Sequence, residues 1–411
     1  MNVAQIAIPA YGSFLSVAAV AHLVPPADES PGAPAAGRVD WDAVTDESER
    51  SVRAAVLAAF LVVVAASFAY DYAVVASGNP FVAGVDPTAM DWLFGLSLGA
   101  FGVSLAHAVT ARPERTAEVL AEFRGRPVAA GSLAYLVGFF LVGLFGPLLV
   151  GPATPDVLHA AQPPVFTTIN DLIVGNCVGP VTDGACAGTA RFPFGTDPFG
   201  RDMVWVTVQG ARIALQVALV SSVIIVPVAT VVGVTAGYFG GPVDALLMRY
   251  VDVQQSVPAI VIYFIAIFVF GRSLFLIVLV FGLLGWGGVA RIVRGEVLSL
   301  RNEHYVTAAK SAGASNLDVL RKHVVPNVTD TVVVSTAQQI PYLILVEASL
   351  SFLKLNAIEL PSWGETIRWG MSDYFPLFWW ISTWPILVLV ATILAFGLFG
   401  DALQDALDPR E

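Results

Sequence analysis

RIALQVALVSSVIIVPVATVVGVTAGY, Arg212 to Tyr238, runs for 27 residues with no charged side chain after the first. As a helix it would be about 40 Å long, more than the roughly 30 Å of a bilayer's hydrocarbon core. Similar apolar runs lie near 129–151, 256–271, 273–290, 330–349 and 381–400, with two more near 54–77 and 91–110. Inside lipid every backbone amide must find a partner within the protein, and runs this long do so as helices rather than as barrel strands. The reading that follows is an all-α polytopic membrane protein with a core of six spans over residues 129–411.

Composition agrees. Across 411 residues 56% are hydrophobic and only 13% charged, against about 25% charged in soluble domains; mean hydropathy is +0.74. The net charge of −11 is unusual for a membrane protein, and Lys310, Lys322 and Lys354 are the only lysines. A halophilic host would account for this, as would an acidic segment on an ordinary membrane chain, since residues 28–49 hold seven carboxylates. No basic cluster has the character of a phosphate-binding patch, so nucleic acid is not an expected partner; the expected surroundings are lipid.

The part ahead of the core, 1–128, reads as an extension carrying two or three membrane helices. Its first apolar stretch, Val3 to Val24, lacks a basic leader and is either a span or an interfacial helix. Residues 25–53, rich in Pro, Ala, Gly and acids, read as a linker. A short polar segment with Arg112, Arg115, Arg124 and Arg126 precedes the core.

Orientation follows from the basic residues. Arg291, Arg294, Arg301, Lys310, Arg321 and Lys322 all fall in 291–327, which is therefore expected in the cytoplasm together with the C-terminus. Loops 152–211 and 350–380 are then expected outside, in the plane beyond a cell membrane crossed several times. Cys177 and Cys186 share the first of these loops, where the compartment permits oxidation; a short disulfide is the expectation and two free thiols the alternative.

Within the cytoplasmic segment, NEHYVTAAKSAGASNLDVLRKHVVPN (302–327), residues 303–312 favour a helix that Gly313 would stop. Ser315 and Asp318 have capping-box spacing for a second helix from about Asn316, and Pro326 marks the turn into the next span. Ala308, Ala309, Ala312 and Gly313 give the first helix a small-residue face, suited to seating in another protein's groove or to packing on the chain's own bundle.

This segment resembles the signature loop of ABC-importer permeases, a Glu-Ala-Ala triplet followed by a Gly and later a Leu-Pro. The triplet here is Thr307-Ala308-Ala309, with Gly313, Ala314 and Pro326 in step; Thr307 replaces the usual Glu and Val325 the usual Leu. GTDPFGRDM (195–203), GARIAL (210–215), GYFGGPVDALLMRYVDV (237–253), LSFLKL (350–355), PSWG (361–364) and GDALQDALDP (400–409) are similar, in order, to the dipeptide/oligopeptide/nickel branch. Lys354 and Asn356 stand where that branch commonly has Gly. The resemblance covers about 129–411 and implies a six-helix, type I permease core whose 303–317 helix couples to a separate ATPase. It also implies two ATPase subunits that bind ATP and Mg, a second homologous permease, and an external binding protein that delivers peptides, nickel or another small solute.

No catalytic residue and no metal site is expected. A phosphate-binding loop needs Gly directly before its Lys, and the three lysines follow Ala309, Arg321 and Leu353. His22, His107, His159, His304 and His323 are scattered. Gly195, Thr196, Asp197, Gly200, Arg201 and Asp202 read as a tight polar loop ahead of the second core span, structural or in contact with the binding protein. Asp244, Arg249 and Asp252, after the turn at Gly240–Gly241, read as anchoring charges. Glu347, near the outer end of the fifth core span, should face the bundle or a pathway mouth and is a candidate gate. An ion-coupled secondary transporter is the rival reading, but it predicts buried mid-span charges and an inverted repeat. An intramembrane enzyme would need a nucleophile–base pair or metal ligands within spans; neither is evident in the sequence.

Overall fold

A computed structural model describes residues 60, 62–64, 66–71, 87–111, 113–151, 155–174, 176–356, 361–372 and 376–407. The stretch 3–24, the linker 25–53, most of the expected 54–77 span and Arg112 lie outside these. The chain divides into two compact units, 1–111 and 112–411. In the first, α1 (Ala89–Ala111) carries Trp92, whose indole donates to Asp71 at 2.9 Å and meets the Phe68 ring edge-on.

The second unit opens with α2 (Pro113–Gly125) and α3 (Pro127–Val150). The polar arginine segment is therefore helical: α2 buries Phe123 against Ala129, Phe399 and Ala402, and Arg126 pairs with Asp405. These contacts bind α2 to α3 and α11.

The longest element is α4 (Met203–Phe239), 37 residues or about 55 Å. It begins nine residues before the apolar run because Asp202 caps it, accepting from Val204 N at 2.8 Å. After α4 come α5 (Gly241–Ser256), α6 (Ala259–Phe270) and α7 (Leu274–Leu300). α5 and α6 meet at 71°. The break falls at Pro258, which has no N–H to continue the ladder and holds Val257 extended (φ −94°, ψ 119°). The single run expected at 256–271 is thus the second half of a bent pair.

α7 lies along α4, and glycine decides how closely. Gly233 and Gly237 form a small-xxx-small pair, the spacing that lets membrane helices approach to backbone contact. They sit against Ala290, Val293 and Val297 of α7, all fully buried. Asp244 of α5 accepts from Arg294 of α7 (Nη2 to Oδ2, 2.6 Å) and Asp252 from Arg291 (2.5 Å), so these carboxylates clamp α5 to α7.

Further helices of eight residues or more are α8 (His304–Ser311), α9 (Val325–Phe352), α10 (Trp363–Met371) and α11 (Trp380–Leu407). Among the described residues five helices are long and apolar enough to cross a membrane, six with the bent pair. α9 is as long as a span but more polar. Its Ser335, Thr336, Glu347 and Ser351 are buried among α4, α7, α10 and α11 rather than offered to lipid.

The loop between α3 and α4 is a small folded cap. Strands β1 (Thr168–Asn170), β2 (Val181–Thr182) and β3 (Ala185–Ala187) pair antiparallel in the order β1-β3-β2. Asp183 (φ 53°) and Gly184 (φ 72°) make the β2–β3 turn, the left-handed pair that a two-residue hairpin needs. Cys177 and Cys186 are bonded to each other, with Cα atoms 5.7 Å apart.

Candidate functional site

The chemistry-bearing residues collect at opposite ends of α4. At its C-terminal end lies the loop between α7 and α9. α8 closes as the sequence spacing predicts: Gly313 is left-handed (φ 88°), its N–H meets Lys310 O at 3.0 Å, and Ala314 N meets Ala309 O at 3.1 Å. That reciprocal pair satisfies the last helical carbonyls. Ser315 then caps a single turn (Asn316–Val319), accepting from Asp318 N at 3.2 Å, while its hydroxyl bonds the Asp318 carboxylate and holds it below its ordinary pKa. A π-turn (Leu320–Val324) leads into α9, with Pro326 in the first turn where a missing N–H costs nothing.

The loop divides into a seated face and an open face. Val306, Val319 and Val324 are fully buried. Thr307, Ala308 and Gly313 are exposed, Ala309 and Ala314 are half-buried, and Pro326 is exposed. Thr307 returns its hydroxyl to Glu303 O at 3.2 Å, so the side chain in the usual Glu position caps locally and offers no charge outward. Thr307, Ala308 and Gly313 thus present small, uncharged groups on a short helix stopped by a left-handed Gly, a peg that also carries Lys310.

Sequence reasoning missed what seats the peg. Tyr238, at the end of α4, donates to Asn316 Oδ1 at 2.9 Å, and the Lys310 ammonium lies 4.6 Å from its ring centroid. Arg301 Nη1 adds a bond to Gly237 O at 3.1 Å. An aromatic at the close of an apolar run, followed by Gly-Gly, was the available signal; its partners, over 60 residues away, were not.

At the other end of α4 the 195–202 motif is a buried knot. Asp197 accepts from Phe199 N and Arg201 N, each at 2.9 Å, and from Arg201 Nε at 2.6 Å. Burial pushes its carboxyl above the ordinary pKa, opposed by the Arg201 charge and these donors. Thr196 donates to His159 O at 2.6 Å and accepts from Gln162 N at 2.8 Å, and its own carbonyl takes the Trp380 indole at 3.1 Å. Gly195 (φ 80°) and Gly200 (φ 78°) supply the left-handed corners. The motif therefore stitches the cap to the starts of α4 and α11.

Glu347 is buried near the same end of the bundle. It accepts from Ser351 Oγ at 2.7 Å and is also bonded by Ser362, the N-cap of α10. The carboxylate thus joins α9 to α10. Close by, Leu345, Ala348, Phe352, Ile367 and Leu389 line a cleft of about 330 Å³. The structure does not bring Glu347 or the 195–202 motif to the peg.

Membrane-spanning helices around α4, a folded cap at one end and a pegged loop at the other define a transport subunit. Residues 229–411 match the family described as "Binding-protein-dependent transport system inner membrane component". Among relatives, the oligopeptide transport system permease protein OppC of Haemophilus influenzae is 38% identical over 219 residues, 53% of this chain and 70% of the relative. The dipeptide transport system permease protein DppC of Bacillus subtilis is 37% identical, covering 53% and 68%. The oligopeptide permease protein OppC of Bacillus subtilis is 30% identical over 298 residues, 71% and 89%. The chain belongs to this family: it is a multi-pass inner-membrane permease subunit of an ABC importer, a transport component without an ATPase site of its own. Such a permease works with ATPase and substrate-binding partners.

Proposed function

We propose that this chain forms half of a peptide-import pathway, gripped by an ATPase at the α8 peg and fed by a binding protein at the cap. The observation that carries the reading is the peg, whose exposed Thr307, Ala308 and Gly313 form a small, uncharged surface beside the end of α4, to which Asn316 and Lys310 are tied. Ala309, Ala314 and Pro326 border it. Peptides are favoured because the relatives' names specify oligopeptides and dipeptides. The proposed assembly has two ATPase subunits, which bind ATP and Mg, and a second homologous permease that completes the pathway. The peg end, where Arg291, Arg294, Arg301, Lys310, Arg321 and Lys322 gather, is assigned to the cytoplasm together with the C-terminus of α11. Glu347, which joins α9 to α10, is the proposed outer gate.

The test is an affinity pull-down of the tagged chain from mild detergent, paired with uptake of a labelled dipeptide into reconstituted vesicles. The expected result is co-purification of an ATPase and a second permease, with ATP-dependent uptake. Gly313→Arg should lose the ATPase, but it also forces a side chain onto a left-handed backbone. Ala308→Arg, on an exposed helical position that accepts any side chain, should lose it too. A chain that purifies alone and transports without ATP would overturn the reading in favour of a secondary transporter.

A further inference from the structure

The peg is useful only if its movement reaches the helices around the pathway, and the structure shows one place where it is tied to the element that touches most of them. Tyr238 is 7% exposed and ends α4. Its hydroxyl bonds Asn316, which follows the peg, and its ring receives Lys310, which is part of the peg. One side chain thus holds the loop on both sides of the Gly313 turn. Arg301, at the end of α7, reaches the neighbouring Gly237 carbonyl and fixes the loop's entry to the same spot.

α4 runs from there as one helix to the cap. Near its start Thr207 O accepts the Trp363 indole of α10 at 3.0 Å, and the face of Gly210 abuts the same ring. Along its length it packs against α3, α7, α9 and α11. α4, with Pro227 inside it, thus joins the Tyr238 end to the α10 contact at Thr207 and Gly210.

We infer that Tyr238 is a positioning residue, the joint that passes peg movement into α4, and through α4 to α10. The inference rests on the docking of the peg by an ATPase. Lys310 and Asn316 are its two grips: a cation against a ring face, and a neutral hydrogen bond. The two differ in what they tolerate. The ring grip survives loss of the hydroxyl, and the hydroxyl grip survives loss of the cation.

The experiment uses the assembled transporter, purified through this chain and reconstituted in vesicles, and reads dipeptide taken up per ATP hydrolysed. Tyr238→Leu, which removes both grips while keeping an apolar filler, should lower that ratio about tenfold, the order expected for losing a cation–ring contact and a hydrogen bond together. Tyr238→Phe and Lys310→Met should each lower it about threefold, and Lys310→Arg should restore it, since a guanidinium also binds an aromatic face. A merely structural role would lower yield and thermal stability and leave the ratio unchanged, which would overturn the inference. So would a Tyr238→Leu transporter that keeps the wild-type ratio. Failure of the unsubstituted chain to recover an ATPase is a separate result: it overturns the docking reading itself, and the joint with it.

Discussion

Gly237→Ala tests whether backbone-close packing of α4 on α7 holds the core together. A Cβ built at Gly237 falls 2.7 Å from Val297 Cβ, 2.9 Å from Val297 Cγ1 and 2.9 Å from Arg294 O, all under the 3.0 Å that real Cβ atoms respect. Two of those atoms belong to backbone or a β-carbon, so no rotamer change relieves them and the helices must part. Overpacking of this kind costs about 1–3 kcal/mol. It is opposed by the roughly 1 kcal/mol by which Ala favours a helix over Gly. Gly295→Ala on α7 is the control, because nothing lies within 4 Å of its added Cβ and only the favourable term remains. The two variants should therefore differ by about 2 kcal/mol, with Gly237→Ala the less stable. An unfolding entropy of about 2.1 cal/mol/K per residue makes each kcal/mol worth about 1 °C in a chain of this length, so thermal unfolding followed by size-exclusion in detergent should separate them by roughly 2 °C. Equal midpoints would refute the packing argument, because they would show that α4 and α7 are not in backbone contact at this level.

Arg201→Ala should reduce the amount of membrane-inserted chain recovered. It removes the counter-charge of a carboxylate whose side chain is 2% exposed, a loss of about 3–5 kcal/mol for a buried pair; normal abundance with lost transport would instead assign the motif to binding-protein contact. Joint replacement of Cys177 and Cys186 by Ser opens a link across nine residues of sequence. Loop entropy values this at about 2–3 kcal/mol, so the cap should become susceptible to limited proteolysis with α4 onward intact; unchanged cleavage would count against the disulfide as what stiffens the cap.

Hydropathy made the helices legible because a membrane span is a local property: each run must be long and apolar whatever its neighbours do. Four core spans, near 129–151, 212–238, 273–290 and 381–400, and the Gly313 and Ser315 punctuation of the peg could be read this way, since capping is settled within four or five residues, whereas the run at 330–349 lies in α9, too polar to stand among the candidate spans. Where helices ended was less legible. α4 starts at Met203 rather than near Arg212 because Asp202 caps it outside the apolar run. The run at 256–271 proved to be half of a bent pair, although Pro258 was there to signal the break. Asp183–Gly184 likewise announced a hairpin in what hydropathy alone presents as a loop.

The functional partners of the site residues belong to tertiary structure alone. Nothing local links Tyr238 to Lys310 and Asn316, Glu347 to Ser362, Asp244 to Arg294, or Thr196 to Trp380. Each pair is separated by at least 15 residues and meets because helices fold back beside one another. Read by itself, the amino-acid sequence determined most of the apolar membrane helices and how the peg is stopped. Packing decided that Thr196 and Asp197 tie the 195–202 motif to the cap and to Trp380, that Glu347 is buried between α9 and α10, and that the peg is held by the end of α4. The physical reason is that apolar length and capping are summed along the chain, whereas a hydrogen bond between distant side chains exists only once the intervening helices have chosen their neighbours.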